Sequence, residues 1–205
     1  MLYNYPDDFS ILISMKTLAV YCGSSSGSAS EFESSAFKMG QLIASDNMQV
    51  IFGGGHVGLM GTIADGALSE GGTVIGVIPQ FLEDKELGHP GITELITVPD
   101  MHQRKALIAE KADAFIALPG GIGTLEEIME IMTWGQLGIH QKPFGLLNTL
   151  GFYNYLQKFL RHMATSSFLK KDHLVQPIVE ENPEILLSSI KEAKIQYLDK
   201  WIPKP

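Results

Sequence analysis

The chain has 205 residues, of which 45% are hydrophobic and 19% are charged, so it is apolar enough to fold and long enough for one domain. Its formal net charge of −8 and the absence of any long basic run argue against a nucleic-acid partner. The single cysteine, Cys22, excludes an internal disulfide and any metal site built from cysteine pairs. A lone cysteine also favours a reducing compartment.

The N-terminal segment and the hydropathy of the chain favour a cytoplasmic protein with no membrane partner. No apolar run approaches the roughly 18 residues needed to cross a bilayer, and no basic segment precedes the apolar residues 11–13. Residues 1–14 carry Pro6 and two aspartates and precede a second methionine, Met15. We therefore expect an N-terminal extension over residues 1–14, followed by a single domain over residues 15–205.

After the extension, short β-branched runs alternate with helical stretches, as expected of a parallel sheet with helices on both faces. Right-handed crossovers then predict a doubly wound, Rossmann-like α/β fold of about six or seven strands, with the ligand site at the carboxyl ends of the strands. In chain order, the predicted elements are strand 17–22, a Gly- and Ser-rich turn at 23–28, helix 31–45, strand 48–52, helix 59–69, strand 73–78, a charged loop or lid at 79–91, strand 94–98, a helix capped by Asp100 that ends at Lys111, strand 114–118, helix 124–137, strand 144–147, helix 152–164 and helix 183–193.

The segment 119–124, Pro-Gly-Gly-Ile-Gly-Thr, joins a predicted strand to a predicted helix and is the strongest functional motif. Its glycines allow a tight turn and close approach of a ligand, while the helix N-terminus offers free N–H groups and the positive end of the helix dipole. A phosphate group suits this place. The segment lacks the lysine of a P-loop, and its spacing differs from the dinucleotide-binding fingerprint, so nucleoside triphosphate hydrolysis and hydride transfer lose support.

Three acidic residues, Glu126, Glu127 and Glu130, follow this motif on the same helix. Their spacing places carboxylates within about one turn of the predicted phosphate site. The alternative is that acidic residues merely complement the helix dipole in the first turns. Their position directly after a glycine-rich loop favours a functional role.

A second glycine loop covers residues 53–61, Gly-Gly-Gly-His-Val-Gly-Leu-Met-Gly. Three successive glycines after a strand indicate close approach of a ligand or another backbone, which makes Gly54 and Gly55 candidates for ligand binding. Gly58 and Gly61 have the alternative of a tight turn and close helix packing. The loop histidine of this segment is interpreted as polar surface.

Arg104 and Lys105 lie in the first turns of a predicted helix, where cations oppose the helix dipole. This placement makes sense if an anionic ligand or a carboxylate lies nearby, and the planar guanidinium of Arg104 is suited to bidentate pairing with either. The alternative is a solvated basic edge. Met132 and Trp134 are interpreted as core or subunit contacts.

Together, the segments GGGHVGLMG, MHQRK and PGGIGTLEE resemble the Lonely Guy family of cytokinin riboside 5′-monophosphate phosphoribohydrolases, long labelled lysine decarboxylase-like. The resemblance covers about residues 16–193. It implies a homodimeric enzyme that hydrolyses the N-glycosidic bond of an adenine-type nucleoside 5′-monophosphate. It also implies that neither a metal ion nor pyridoxal phosphate takes part.

Carried onto this chain, the resemblance makes Arg104 and Glu127 the catalytic residues. Glu86 is placed by its distance of 18 residues before Arg104, in a loop whose sequence differs from the family pattern. The residue pattern itself adds Gly54, Gly55 and Glu130. The positions that the resemblance assigns to substrate binding are Glu86, Lys105, Gly120, Gly121, Ile122, Gly123, Thr124, Leu125, Glu126 and Thr133.

Three other functions stay open at this point. A broader nucleosidase acting on AMP or pyrimidine monophosphates has the same requirements. A non-catalytic nucleotide-binding module is possible because a fold does not fix a function. Amino-acid decarboxylation would need a Schiff-base lysine in a fitted cofactor site, for which the sequence gives no indication.

Overall fold

The computed structural model describes residues 15–85, 88–169 and 177–193. Within these residues, seven parallel strands form one sheet in the order β4-β3-β2-β1-β5-β6-β7, so β1 lies at the centre and the later strands are added outward on both sides. The predicted extension over residues 1–14 lies outside the described residues. The strands are β1 (Thr17–Tyr21), β2 (Gln49–Phe52), β3 (Val74–Pro79), β4 (Glu94–Val98), β5 (Ala114–Ala117), β6 (Phe144–Leu147) and β7 (Ile178–Glu180).

Helices cover both faces of the sheet, as the alternating pattern predicts. Alternate residues of β1 show the division: Leu18 and Val20 pack with α1, α2 and α7, whereas Ala19 and Tyr21 pack with α4, α5 and α6. All five residues of β1 are buried, as expected for a parallel strand covered on both sides. The helices are α1 (Ser30–Ser45), α2 (Gly58–Ser69), α3 (Gln80–Glu83), α4 (Met101–Lys111), α5 (Ile122–Gln136), α6 (Asn154–Thr165) and α7 (Pro183–Glu192).

The prediction of a doubly wound, Rossmann-like α/β fold is confirmed, with some differences in detail. The short helix α3 lies inside the segment predicted as a charged loop. Strand β7 was not predicted, because it has only three residues, half-buried at the sheet edge, and Ile178 and Val179 are too short an apolar run to identify a strand. Helix α5 begins at Ile122, two residues earlier than predicted. The Asp100 cap of α4 is confirmed, since its carboxylate accepts a hydrogen bond of 2.9 Å from the Gln103 backbone N–H.

Helices α1 and α2 pack closely because glycine lies where they meet. A Cβ atom at Gly40 would lie 2.7 Å from the backbone nitrogen of Ala67 and would overlap the Ile63 carbonyl oxygen. On the other helix, Gly66 faces the Phe37 backbone in the same way. Close contact of these helices fixes α2 and the loop before it against the sheet.

We expect Gly40→Ala to lower the free energy of unfolding by about 1–3 kcal/mol, because the new methyl group meets backbone atoms that cannot turn away. Urea unfolding followed by circular dichroism measures this change. Gly91→Ala is the matched control, since its Cβ would find the His89 ring at 3.6 Å, an ordinary contact. Equal stability of the two variants would show that α1 and α2 separate without cost.

Candidate active site

The candidate site lies where the direction of winding reverses, between the carboxyl ends of β1 and β5. The loops after these strands touch: the Gly23 N–H donates a hydrogen bond of 3.1 Å to the Pro119 carbonyl oxygen. A Cβ at Gly23 would lie 3.2 Å from the Cα of Gly120, so both loops need glycine to meet. A cleft of about 250 Å³ opens between them. Its lining includes Ser24, Ser25 and Ser26, which the sequence analysis did not single out.

Helix α5 begins at this cleft with its N-terminus uncapped. Gly121 precedes the helix, and no side chain of the described residues caps it. The first backbone N–H that donates a hydrogen bond in this helix is that of Leu125, and its acceptor is the Gly121 carbonyl oxygen at 3.1 Å. Gly121 and Gly123 have open space where a Cβ would stand, and Ile122 is 82% exposed. The three preceding N–H groups therefore form a place suited to an anion.

Two of the predicted site residues, Arg104 and Glu127, form a buried ion pair. An Nη atom of Arg104 lies 3.4 Å from a carboxylate oxygen of Glu127, and their side chains are only 12% and 10% exposed. Arg104 comes from the second turn of α4 and Glu127 from the second turn of α5. Burial raises the pKa of Glu127, and the nearby guanidinium opposes that rise. The protein thus holds a carboxylate in a nearly dry place with one cation beside it.

Gly53 provides the space that Arg104 occupies. A Cβ at Gly53 would overlap the guanidinium of Arg104, which lies directly against this backbone at the end of β2. The buried Nε of Arg104 has no hydrogen-bond partner among the described residues, while an Nη donates to the Met101 sulfur at 3.6 Å. Gly53 was not among the predicted site residues, because a run of three glycines does not reveal which one faces a side chain.

The other glycines of that loop have structural contacts. The Gly54 carbonyl oxygen accepts a hydrogen bond of 2.8 Å from the His89 N–H, and Gly55 forms an antiparallel bridge with Gly88. Their binding role thus stays a prediction. Gly58 has a φ of +59° and lies against the backbone of residues 24–25, so its packing role is confirmed.

Lys105 and the remaining acidic residues form a second ionic cluster beside the first. The Lys105 ammonium contacts the carboxylates of Glu126 and Glu130, at 2.5 and 3.1 Å. The hydroxyl of Thr133 donates to the Met129 carbonyl oxygen of its own helix. Thr124 is buried and Leu125 half-buried, so the early turns of α5 also contribute to the core. Glu86 lies outside the described residues.

The other side chains of α5 agree with the prediction of core contacts: Met132 is buried, and Trp134 packs partly buried against the same cluster. No group of three or more His, Cys, Asp or Glu side chains within residues 15–85, 88–169 and 177–193 is placed to hold a metal ion.

The family model described as possible lysine decarboxylase matches residues 60–190. The cytokinin riboside 5′-monophosphate phosphoribohydrolase of Rhodococcoides fascians is 45% identical over 177 residues, which cover 86% of this chain and 89% of that protein. The protein of the same name, LOG1, from Arabidopsis thaliana is 47% identical over 154 residues, or 75% of this chain and 72% of that one.

Solved structures show the same fold at lower identity. The molybdenum cofactor binding protein from Rippkaea orientalis has a TM-score of 0.67 and 23% identity, covering 88% of this chain and 98% of that one. The molybdenum cofactor carrier protein from Chlamydomonas reinhardtii has a TM-score of 0.66 and 20% identity, covering 87% and 97%. These two likenesses concern the fold alone. The sequence matches go further, and the chain belongs to the family of cytokinin riboside 5′-monophosphate phosphoribohydrolases, whose family model is described as possible lysine decarboxylase.

Proposed function

We propose that this protein hydrolyses the N-glycosidic bond of adenosine 5′-monophosphates, including N6-modified ones, to free base and ribose 5-phosphate. The observation that carries the proposal is the buried Arg104–Glu127 pair beside the uncapped N-terminus of α5. The relatives at 45% and 47% identity bear the name of this activity. The products are the free base, either a cytokinin or adenine, and the sugar phosphate.

The 5′-phosphate would bind at the turn before α5. Free N–H groups and the positive end of the helix dipole favour an anion there, and the glycines at 121 and 123 leave its approach open. Ser24, Ser25 and Ser26 border the same cleft, and serine hydroxyl groups are possible hydrogen-bond donors to a phosphate there. Binding energy from a phosphate remote from the reacting bond can then hold the ribose over Glu127.

Glu127 would act at the anomeric carbon. Breaking the bond leaves its electron pair on the base nitrogen, which takes up a proton from solvent, while the sugar passes through an oxocarbenium-like state. An ionised carboxylate stabilises that positive charge and accepts a proton from the water that adds to C1′. Low exposure strengthens both effects, because little solvent screens the charge.

Arg104 would keep the carboxyl group of Glu127 ionised, which is the form that the proposed reaction requires. Since burial alone raises the pKa of this carboxyl, a guanidinium at 3.4 Å is what favours the ionised state. The same cation is available to the ribose hydroxyls or to charge on the departing base. We keep Lys105, Glu126, Glu130 and Thr133 as proposed neighbours of the substrate, together with Gly54, Gly55 and Glu86.

We further propose that the enzyme is a cytoplasmic homodimer whose catalytic domain spans residues 15–205, working without a metal or cofactor. Exposed apolar side chains near the ends of α5 and on α6, such as Ile139, Tyr155 and Phe159, provide area for a second copy. Among the described residues, no helix is both long and apolar enough to cross a bilayer. The family resemblance supports the dimer.

Glu127→Gln and Arg104→Ala should each lower kcat at least about 100-fold, because each removes one charge of the pair. Release of free base and ribose 5-phosphate from AMP, separated by chromatography, measures the loss. Glu184→Gln is the control, since Glu184 lies on α7 in an exposed ion pair with Lys38. Near wild-type rates in both site variants, with cooperative unfolding retained, would reject these two residues as catalytic.

Removing the 5′-phosphate should lower kcat/KM at least about 100-fold, because the remote binding energy at α5 is lost. Adenosine is compared with AMP, and N6-isopentenyl-AMP and pyrimidine monophosphates are measured beside them. Equal rates on adenosine and AMP would contradict a phosphate site at α5. A clear preference for pyrimidines would reject the proposed substrate class.

Gly53→Ala should lower kcat about tenfold or more, because the methyl group displaces the guanidinium from its contact with Glu127. Steady-state rates on AMP test this. Gly91→Ala again serves as the control, since space exists for its methyl group. Unchanged turnover in Gly53→Ala would mean that Arg104 does not need the space beside the Gly53 backbone for its function.

A further inference from the structure

A second group of charges connects the two helices that carry the catalytic pair. Lys105 follows Arg104 on α4, whereas Glu126 precedes Glu127 on α5 and Glu130 lies one turn further on. The Lys105 ammonium contacts both of these flanking carboxylates. Two sets of ionic contacts therefore join α4 and α5 at adjacent positions. One is the Arg104–Glu127 pair, and the other is formed by Lys105 with its two carboxylates.

The burial of Lys105 shows that this contact is more than a surface ion pair. Its side chain is only 13% exposed, while Glu130 is 27% and Glu126 is 52% exposed. A half-exposed pair contributes little to stability, but a lysine this enclosed loses much of its freedom when two acceptors hold its ammonium. The ammonium is already engaged by protein carboxylates, so it has less capacity left for a substrate phosphate.

We propose that Lys105 is a positioning residue: by binding Glu126 and Glu130 it holds α4 against α5 so that Arg104 and Glu127 stay in register. This rests on the proposed function, in which those two residues act on the substrate. It differs from the role that the family resemblance gives Lys105, which is substrate binding. Arg104 lies against the Gly53 backbone, so it has little room to follow if the helices shift.

The ionic cluster of Lys105, Glu126 and Glu130 also affects the pKa of Glu127. Arg104 and Lys105 face it from α4 and lower its pKa, while Glu126 and Glu130 from its own helix raise it. Tyr21 and Cys22 approach from the end of β1 and are themselves kept protonated by burial, which raises the pKa of each. Removing Lys105 therefore raises the pKa of Glu127, whereas removing Glu126 or Glu130 lowers it.

The first experiment separates positioning from substrate binding by kinetics. Lys105→Met should lower kcat on AMP about tenfold or more with KM within about twofold, and Lys105→Arg should recover most of the activity by keeping a cation there. Lys111→Met, at the exposed last turn of the same helix, is the control and should match the wild type. A large rise in KM with kcat unchanged would instead assign Lys105 to the substrate.

The second experiment uses the sign of the pH response. In Lys105→Met the acid limb of kcat/KM should move to higher pH, because ionised Glu127 loses a favourable neighbour. In the double variant Glu126→Gln/Glu130→Gln, kcat should also fall, yet the limb should move to lower pH. Shifts in the same direction, or none in either variant, would overturn the proposal.

A third measurement needs no turnover. Carboxyl-¹³C glutamate NMR of the ligand-free protein, with the Glu127 signal assigned through Glu127→Gln, follows the titration of Glu127 directly. A higher pKa of Glu127 in Lys105→Met and a lower one in Glu126→Gln/Glu130→Gln would support the positioning role of Lys105. This result would stand even if the protein does not hydrolyse AMP, and only the proposed function would then be rejected. An unmoved Glu127 titration in a folded Lys105→Met variant refutes the positioning role.

Discussion

The candidate site depends on one carboxyl group, that of Glu127, in a place from which water is largely excluded. Taking a carboxylate out of water costs several kcal/mol unless a cation and hydrogen bonds compensate, and the protein would otherwise protonate it. Here the Arg104 guanidinium at 3.4 Å supplies most of that compensation, and the Lys105 ammonium adds to it. Arg104 is itself imperfectly satisfied, since its buried Nε has no partner among the described residues. Such an arrangement is costly to fold, and poorly solvated carboxyl groups paired with a cation are typical of active sites.

Glycines make this arrangement sterically possible, and they do so at different places for different reasons. Gly23 and Gly120 let the loops after β1 and β5 touch, which closes the floor of the cleft. Gly53 leaves space for the Arg104 guanidinium, and Gly58 lets the second loop support the first one. At each of these four positions an added side chain would meet neighbouring atoms, whereas Gly121 and Gly123 face open space. The four glycines with close neighbours shape the site, whereas Gly121 and Gly123 leave it accessible to a ligand.

The order of strands and helices could be predicted because parallel strands read as apolar runs and glycine or a polar cap marks most helix starts. The glycine motif at 119–124 likewise predicted the turn before α5, since its conformation is encoded locally. The partners of Lys105 could not be predicted, because α4 and α5 are separated by β5 and meet only after the sheet forms. Gly53 was missed for a similar reason: its neighbour is a side chain 51 positions later in the chain.

The fold alone does not distinguish a hydrolase from a carrier, because two proteins that share it with TM-scores of 0.67 and 0.66 are named for binding or carrying molybdenum cofactor. Any doubly wound sheet offers a crevice at its switch point, and an uncapped helix there attracts anions. The mechanism that we propose needs something more, namely a carboxylate in the second turn of that helix that stays ionised although it is buried. Two elements must cooperate to achieve this, because α5 supplies the carboxylate and α4 supplies the two cations, Arg104 and Lys105, that lie near it among the described residues. The register between α4 and α5, rather than the crevice, is therefore where catalytic capacity would be gained or lost.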